Sequence, residues 1–219
     1  MSIKFRDRRS AGRLLAGQLL EYAKRDDVLV LALPRGGVPV AAEIARALHL
    51  PMDILLVRKL ALPEQPELAV GAISSGGVCV LNEEVLAGCP VPAGVLASVT
   101  TFEQAELARR ERLYRGGRPF PNVQGRTVIL VDDGIATGTS LRAALELLKR
   151  QGAKQIVIAV PVAPARVCAE FRQAPDCQLF TCLLAPEPFY AVSEWYDDFT
   201  QTTDEEVCEL LRRAAVEKL

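Results

Sequence analysis

The chain has 219 residues, half of them hydrophobic and 24% charged, the composition of an ordinary globular protein with room for one sizeable core or two small ones. Its 26 Lys and Arg against 27 Asp and Glu leave a formal net charge of −1, so there is no basic field to hold long duplex DNA, and nucleic acid is not expected as a partner. No apolar run approaches the length needed to cross a bilayer, and the opening MSIKFRDRRSAGRLL lacks the apolar core of a secretory signal, so a cytoplasmic protein without a membrane partner is expected.

Behind Ser10, read as an N-cap, apolar residues spaced by three and four in SAGRLLAGQLLEYAKR predict an amphipathic helix. VLVLAL, Val28 to Leu33, reads as a buried parallel strand running into PRGGVP. The pattern VAAEIARALHL predicts a helix, and DILLV, Asp53 to Val57, a second short strand. AVGAISSGGVCVLN looks like two strands joined at Gly76 and Gly77. Asn82 can cap a short helix EEVLAG, and SVTTFEQAELARRERLYRGG reads as a long charged helix ending at Gly116. RRERLYR within it could form a nucleic-acid patch, but its interleaved glutamates favour a solvated helix face. Then come TVILV (127 to 131), DDGIATGTS, a helix LRAALELLKRQG closed by Gly152, the run QIVIAVPV, a helix near Ala165 to Ala174 and the run QLFTCLL.

Strand, Gly-rich turn, helix, strand is the βαβ unit, and its recurrence predicts an α/β fold: a doubly wound, mostly parallel sheet of about five strands with helices on both faces. Six scattered cysteines without a C-x-x-C, and a single histidine, His49, favour reduced thiols over zinc or disulfides and weaken any histidine-based hydrolase reading.

In such a sheet ligands sit beyond the carboxyl ends of the strands, where both Gly-rich segments fall. In VILVDDGIATGTS, Val128 to Ser140, the backbone N–H groups of Ala136 to Thr139, the Thr137 and Thr139 hydroxyls and the positive end of the next helix form a seat for a phosphate dianion. Gly134 and Gly138 allow the tight turn and the close approach of the anion. The letters fit neither a Walker A loop nor a G-x-G-x-x-G turn. Asp132 and Asp133 would repel a phosphate unless they face another part of the same molecule, and the vicinal diol of a ribose meets that demand because ionised carboxylates accept hydroxyl hydrogens. A helix-capping pair without ligand explains the two acids alone equally well. The combination of strand, paired acids, spaced glycines and threonines points to a ribose 5-phosphate.

VILVDDGIATGTS resembles the phosphoribosyl-pyrophosphate signature of the type I phosphoribosyltransferases. The resemblance implies that Asp132 and Asp133 hold the ribose hydroxyls, and that Gly134 and the loop Ala136, Thr137, Gly138, Thr139 and Ser140 bind the 5′-phosphate. LPRGGVPVA stands where the family binds pyrophosphate, implying contacts from Arg35, Gly36 and Gly37 and a cis non-proline peptide at or beside Arg35; a plain Pro-Gly turn is the alternative. Arg58 and Lys59 of VRKL match a basic pair in adenine- and orotate-type members, with a solvated surface pair as the alternative. ALPEQPELAVGAISSGG occupies the position of the family's mobile catalytic loop.

The implied reaction displaces pyrophosphate from ribose C1 by a ring nitrogen, with Arg35, Arg58, Lys59 and a Mg²⁺ bound mainly through the substrate neutralising the leaving group. Ala136 stands where enzymes of 6-oxopurines carry aspartate, which argues against hypoxanthine and guanine as acceptors. The resemblance further implies one domain over 1–219, with a core of about 26–184 and a hood from 1–25 and 185–219. The hood segment PEPFYAVSEWYDDFTQTTDEE offers Tyr190 and Trp195 as an acceptor pocket, or else as a satellite hydrophobic cluster. Phosphoribosyl pyrophosphate, pyrophosphate, an unidentified acceptor and a second copy in a homodimer are the partners expected. A regulator that senses phosphoribosyl pyrophosphate or a nucleotide without turnover is the rival reading.

Overall fold

A computed structural model describes residues 4–62, 65–88 and 91–216. The α/β alternation is present: α1 (Arg8–Gly17), β1 (Val28–Ala32), α2 (Gly37–Leu48), β2 (Met52–Ile54), β3 (Val57–Leu62), β4 (Gln65–Ser74), β5 (Cys79–Leu81), α3 (Glu83–Gly88), α4 (Ala93–Arg115), β6 (Thr127–Val131), α5 (Thr139–Arg150), β7 (Gln155–Val162), α6 (Ala165–Gln173), β8 (Leu179–Leu184) and α7 (Asp204–Val216). The main sheet is parallel throughout, in the order β2-β1-β6-β7-β8.

Both faces of that sheet are covered, which is why its strands read as unbroken apolar runs instead of alternating ones. On one face Val28, Val30, Ile129, Val131 and Val157 pack with Leu15, Ile44, Leu48, Val207 and Leu211 of α1, α2 and α7. On the other, Leu29, Leu31, Val128, Leu130 and Ile158 pack with Leu141, Leu148, Val167 and Phe171 of α5 and α6. The chain winds outward from β1 to β2 in one direction and from β6 to β8 in the other, so the winding reverses between β1 and β6. The crevice at their carboxyl ends is the switch point where such sheets bind ligands.

Strands β3, β4 and β5 form a separate antiparallel sheet, with Gly76 and Gly77 at φ +85° and +78° in the turn between β4 and β5. Most of the segment read as a catalytic loop is therefore paired strand; Pro63 and Glu64 lie outside the described residues. Gly116 in the left-handed conformation ends α4, and the Asn82 Oδ1 accepts from the Val85 N–H at 3.2 Å. Cys79, Cys168, Cys177, Cys182 and Cys208 are free thiols, and Cys89 lies outside the described residues.

Several boundaries differ from the sequence expectation: the first helix ends at Gly17 instead of running on to Arg25, and α4 begins at Ala93, ahead of Ser98. The first helix is capped by Asp7, whose side chain accepts from the Ser10 N–H at 2.6 Å, while the Ser10 hydroxyl accepts from the Asp7 N–H at 3.0 Å. Ser10 is thus the N3 member of a capping box instead of the cap itself. The run DILLV does not form one strand: β2 ends at Ile54, and Val57 opens β3 in the other sheet.

A buried ion pair fastens α4 and the second sheet to the core. Arg115, 3% exposed, donates to Asp53 at 3.0 Å, to the Ile54 carbonyl at 2.5 Å, to Glu111 at 2.9 Å and to the Ser75 hydroxyl. Its guanidinium also lies 5.0 Å from the Phe120 ring centroid.

Candidate functional site

The buried strands β1 and β6 deliver the two motifs side by side. The Leu33 N–H donates to the Val131 carbonyl at 2.8 Å, so the pairing continues past β1 into the loops. Beyond it the Pro34–Arg35 peptide is cis, where the resemblance places such a bond. A Cβ added at Gly36 would collide with the Asp133 carboxylate, and one at Gly37 would stand 2.7 Å from the Val131 carbonyl. The first motif fits against the second only because it presents bare backbone there.

Gly138, at φ +80°, is the N-cap of α5 and has no side-chain capping bond to the helix amides. First-turn N–H groups left without a capping side chain are what an anion occupies at a helix N-terminus. Ala136, Thr137, Thr139 and Ser140 around them are exposed, and the Thr137 and Thr139 hydroxyls stand 3.2 Å apart. The loop is held from behind: Arg142 donates to the Thr137 carbonyl at 2.5 Å, and a Cβ on Gly134 would lie 2.5 Å from Val192.

The two acids are part-buried, and their electrostatics are unequal. Burial raises the Asp132 carboxyl well above its ordinary value, and the neighbouring Asp133 charge adds to this. Burial also raises Asp133, but Arg8 opposes it, with Nε donating to Oδ2 at 2.8 Å. The sequence reading gave Arg8 no role. Its guanidinium lies 3.8 Å from the Phe199 ring centroid and donates to the Thr200 carbonyl at 2.8 Å, while the Tyr196 hydroxyl donates to the Asp133 carbonyl at 2.6 Å. The two ends of the chain thus meet on Asp133. One local signal for Arg8 existed: a cation in the first turn of a helix opposes the helix dipole and so needs a partner elsewhere.

Two predictions follow the acids. Arg8→Ala removes a part-buried ion pair and should lower stability by about 1–3 kcal/mol, with faster hydrogen exchange at 196–200; unchanged exchange there would contradict the clamp. Asp132→Asn should act in the opposite sense. Because the folded-state pKa of Asp132 lies above its ordinary 3.8, its contribution to stability is retained below that value and lost as pH rises through the folded value. The Asn variant should therefore melt higher than the parent near neutral pH, and the gap should close as pH falls toward the ordinary carboxylate range. Melting curves across pH check this, and a variant less stable than its parent in mild alkali would refute it.

Two of the three cations assigned to the leaving group, Arg35 and Arg58, are held by acids. Arg35 lies 3.5 Å from Asp204 at the start of α7, and Tyr114 of α4 donates to the same carboxylate at 2.5 Å. Burial and that bond push the Tyr114 phenol up to about 12. Arg58 on β3 pairs with Glu103 of α4 at 2.5 Å, and Lys59 beside it is exposed. Tyr190 is 78% exposed. Trp195 stacks on Phe189, with centroids 6.4 Å apart, in a cluster with Phe5, Val162 and Tyr196, and its indole N–H is buried without a partner among the described residues.

Paired acids ending one central strand, an open amide loop starting the next helix and a glycine pair ending the adjacent strand are the layout of a type I phosphoribosyltransferase fold. The chain belongs to that family: the description "Phosphoribosyl transferase domain" matches residues 8–194. It is 45% identical over 210 residues to the Mycobacterium tuberculosis protein named "Putative phosphoribosyl transferase Rv0571c", covering 96% of this chain and 47% of that one. The chain thus spans about half the length of the curated relatives it matches over most of its own length. The crystal structure of TT1426 from Thermus thermophilus superposes with a TM-score of 0.84 at 40% identity, covering 96% of this chain and 99% of that one.

Proposed function

We propose that the protein transfers the 5-phosphoribosyl group from phosphoribosyl pyrophosphate to a nitrogenous, nucleobase-like acceptor. The C1–O bond to pyrophosphate breaks, a C1–N bond forms, and the acceptor nitrogen gives up its proton. The observation that carries this reading is the interlock of Asp132-Asp133 with Gly36-Gly37 at the switch point, beside the open loop Ala136–Ser140. One oxygen of each acid is committed to the protein, Oδ1 of Asp132 to the Asp133 N–H and Oδ2 of Asp133 to Arg8. A vicinal diol would donate to the remaining oxygens while its 5′-phosphate takes the α5 amides.

Pyrophosphate would lie along the cis Pro34–Arg35 peptide and Gly36, where an Arg35 exchanging Asp204 for the leaving group stabilises the departing charge. Arg58 would make the same exchange from Glu103, with Lys59 beside it on β3. Among the described residues no group of three or more His, Cys, Asp or Glu side chains is placed to hold a metal. The hard oxygens of Asp132 and Asp133 suit Mg²⁺ bound mainly through the substrate. Bound there, the ion would supply positive charge to the pyrophosphate oxygens.

Calorimetry with phosphoribosyl pyrophosphate and Mg²⁺, followed by a pyrophosphate-release screen over purines, pyrimidines and small aromatic amines, tests the proposal. Saturable binding with release for one acceptor is expected. No saturable binding would remove it, and binding without release across the panel would favour a ligand-sensing protein.

A further inference from the structure

At the opposite end of the sheet, where the strands begin, the loops and helices enclose a cleft of about 940 Å³. It is built from the segments just before β1, β2 and β6, the C-terminal end of α2 and part of α7. β1 and β6 are five residues long and run parallel, so the cleft lies roughly 16 Å or more from the Asp132 cradle.

The lining is basic in a protein that is not. Six Lys and Arg side chains face two carboxylates, Asp26 and Glu43, although the whole chain carries a formal charge of −1. Three of these cations are paired with acids, Arg9 with Glu206, Arg46 with Glu43 and Arg213 with Glu209, and Arg46 and Arg213 also sit in the last turns of α2 and α7. Lys24, Arg25 and Arg126 lie on loops. Arg25 is neutralised by Asp27. Arg126 is pinned by backbone alone: its Nη2 donates to the carbonyls of Asp26 at 3.1 Å and Val28 at 2.9 Å, with no acid partner among the described residues. The Lys24 ammonium likewise has no acid partner among the described residues. Here, then, are a fixed and a free cation without counter-charge.

A second observation coincides with the first. The two non-glycine residues described with positive φ, Lys24 at +58° and His49 at +54°, both line this cleft. At His49 the conformation is the left-handed C-cap of α2, which leaves Lys24 as the position where it is uncommon and of the kind that gathers at ligand sites. The lining also includes Pro51, with the narrow edges of the core residues Leu50 and Leu210, 7% and 8% exposed, as the apolar patch that a heterocycle covers.

We infer that this cleft is a second ligand site, distinct from the proposed phosphoribosyl cradle, and that it binds a nucleoside polyphosphate, with phosphoryl groups on Lys24 and Arg126 and the base against Leu50 and Pro51. The inference does not depend on the proposed transfer reaction.

Calorimetry on the full chain with ATP, GTP and inorganic tripolyphosphate tests it. Saturable binding of at least one nucleotide is expected, weakened roughly tenfold or more by Lys24→Glu, since a charged contact is replaced by a repulsive one. Asp132→Asn/Asp133→Asn should leave this binding unchanged. No saturable nucleotide binding would overturn the inference. So would affinity lost in the double Asp variant and kept in Lys24→Glu, which would put the nucleotide in the other cradle. Tripolyphosphate binding as tightly as the nucleotide would replace the nucleotide by an inorganic polyanion and so overturn the assigned class. Should Lys24→Glu fail to fold, hydrogen exchange on the unsubstituted protein decides: ATP must protect amides at 46–51 and 124–126, and absence of protection there overturns the site.

Discussion

Replacing Asp132 and Asp133 together by asparagine is expected to weaken binding of phosphoribosyl pyrophosphate by at least about 100-fold. Each hydrogen bond from a hydroxyl to an ionised carboxylate is worth on the order of 1.5–3 kcal/mol, and two are lost. The fold should survive, because asparagine has the same shape and because burial already disfavours both charges, which offsets part of the loss of the Arg8–Asp133 ion pair. Loss of affinity in a protein that still folds cooperatively is therefore the combined signature. Equal affinity in parent and variant would remove the diol assignment, whatever the stability. The raised Asp132 value adds a pH dependence: affinity should begin to fall on acidification at a higher pH than an ordinary carboxylate would give, since the protonated acid accepts more poorly.

Arg115→Ala should cost about 3–5 kcal/mol of folding stability, because it strands Asp53 as a buried carboxylate without its counter-charge. The size follows from what Arg115 joins: Asp53 and Ile54 of β2, Ser75 after β4 and Glu111 of its own helix. Asp53→Asn/Arg115→Met should recover much of that loss, since removing both charges leaves no unpaired ion. Urea unfolding of the two variants against the parent measures both quantities. A single variant within about 1 kcal/mol of the parent, by the same reckoning of buried pairs, would show that the network contributes little to holding α4 in place.

The switch-point cradle was largely legible in the sequence because its causes are local. Four apolar residues followed by DDGIATGTS name a buried strand, its carboxyl end and a loop feeding a helix, and β6 and α5 occupy those places. Positions 36 and 37 were legible as glycine through the resemblance, and the steric reason appears only once Asp133 is seen against Gly36. Contacts between distant parts of the chain left little or no trace. Arg8 and Asp133 are 125 residues apart, and Arg115 and Asp53 are 62 apart, so no periodicity announces either pair. The strand boundary at Ile54 was hidden for another reason. Leu55 and Leu56 are as buried as the strand before them, so hydropathy does not mark where the chain leaves one sheet for another. At the first helix Asp7 and Ser10 are both good caps, and the box uses both, which spacing alone does not resolve.

The contact between Gly36 and the Asp133 carboxylate has a consequence for how this protein can drift over generations. The two positions lie 97 apart in the chain, yet they share one volume and so form a single unit of inheritance. A methyl group can appear at the first only in a lineage that has already shortened or moved the second. Among descendants, alanine at 36 should be found beside a residue at 133 that is shorter or turned away from Arg8.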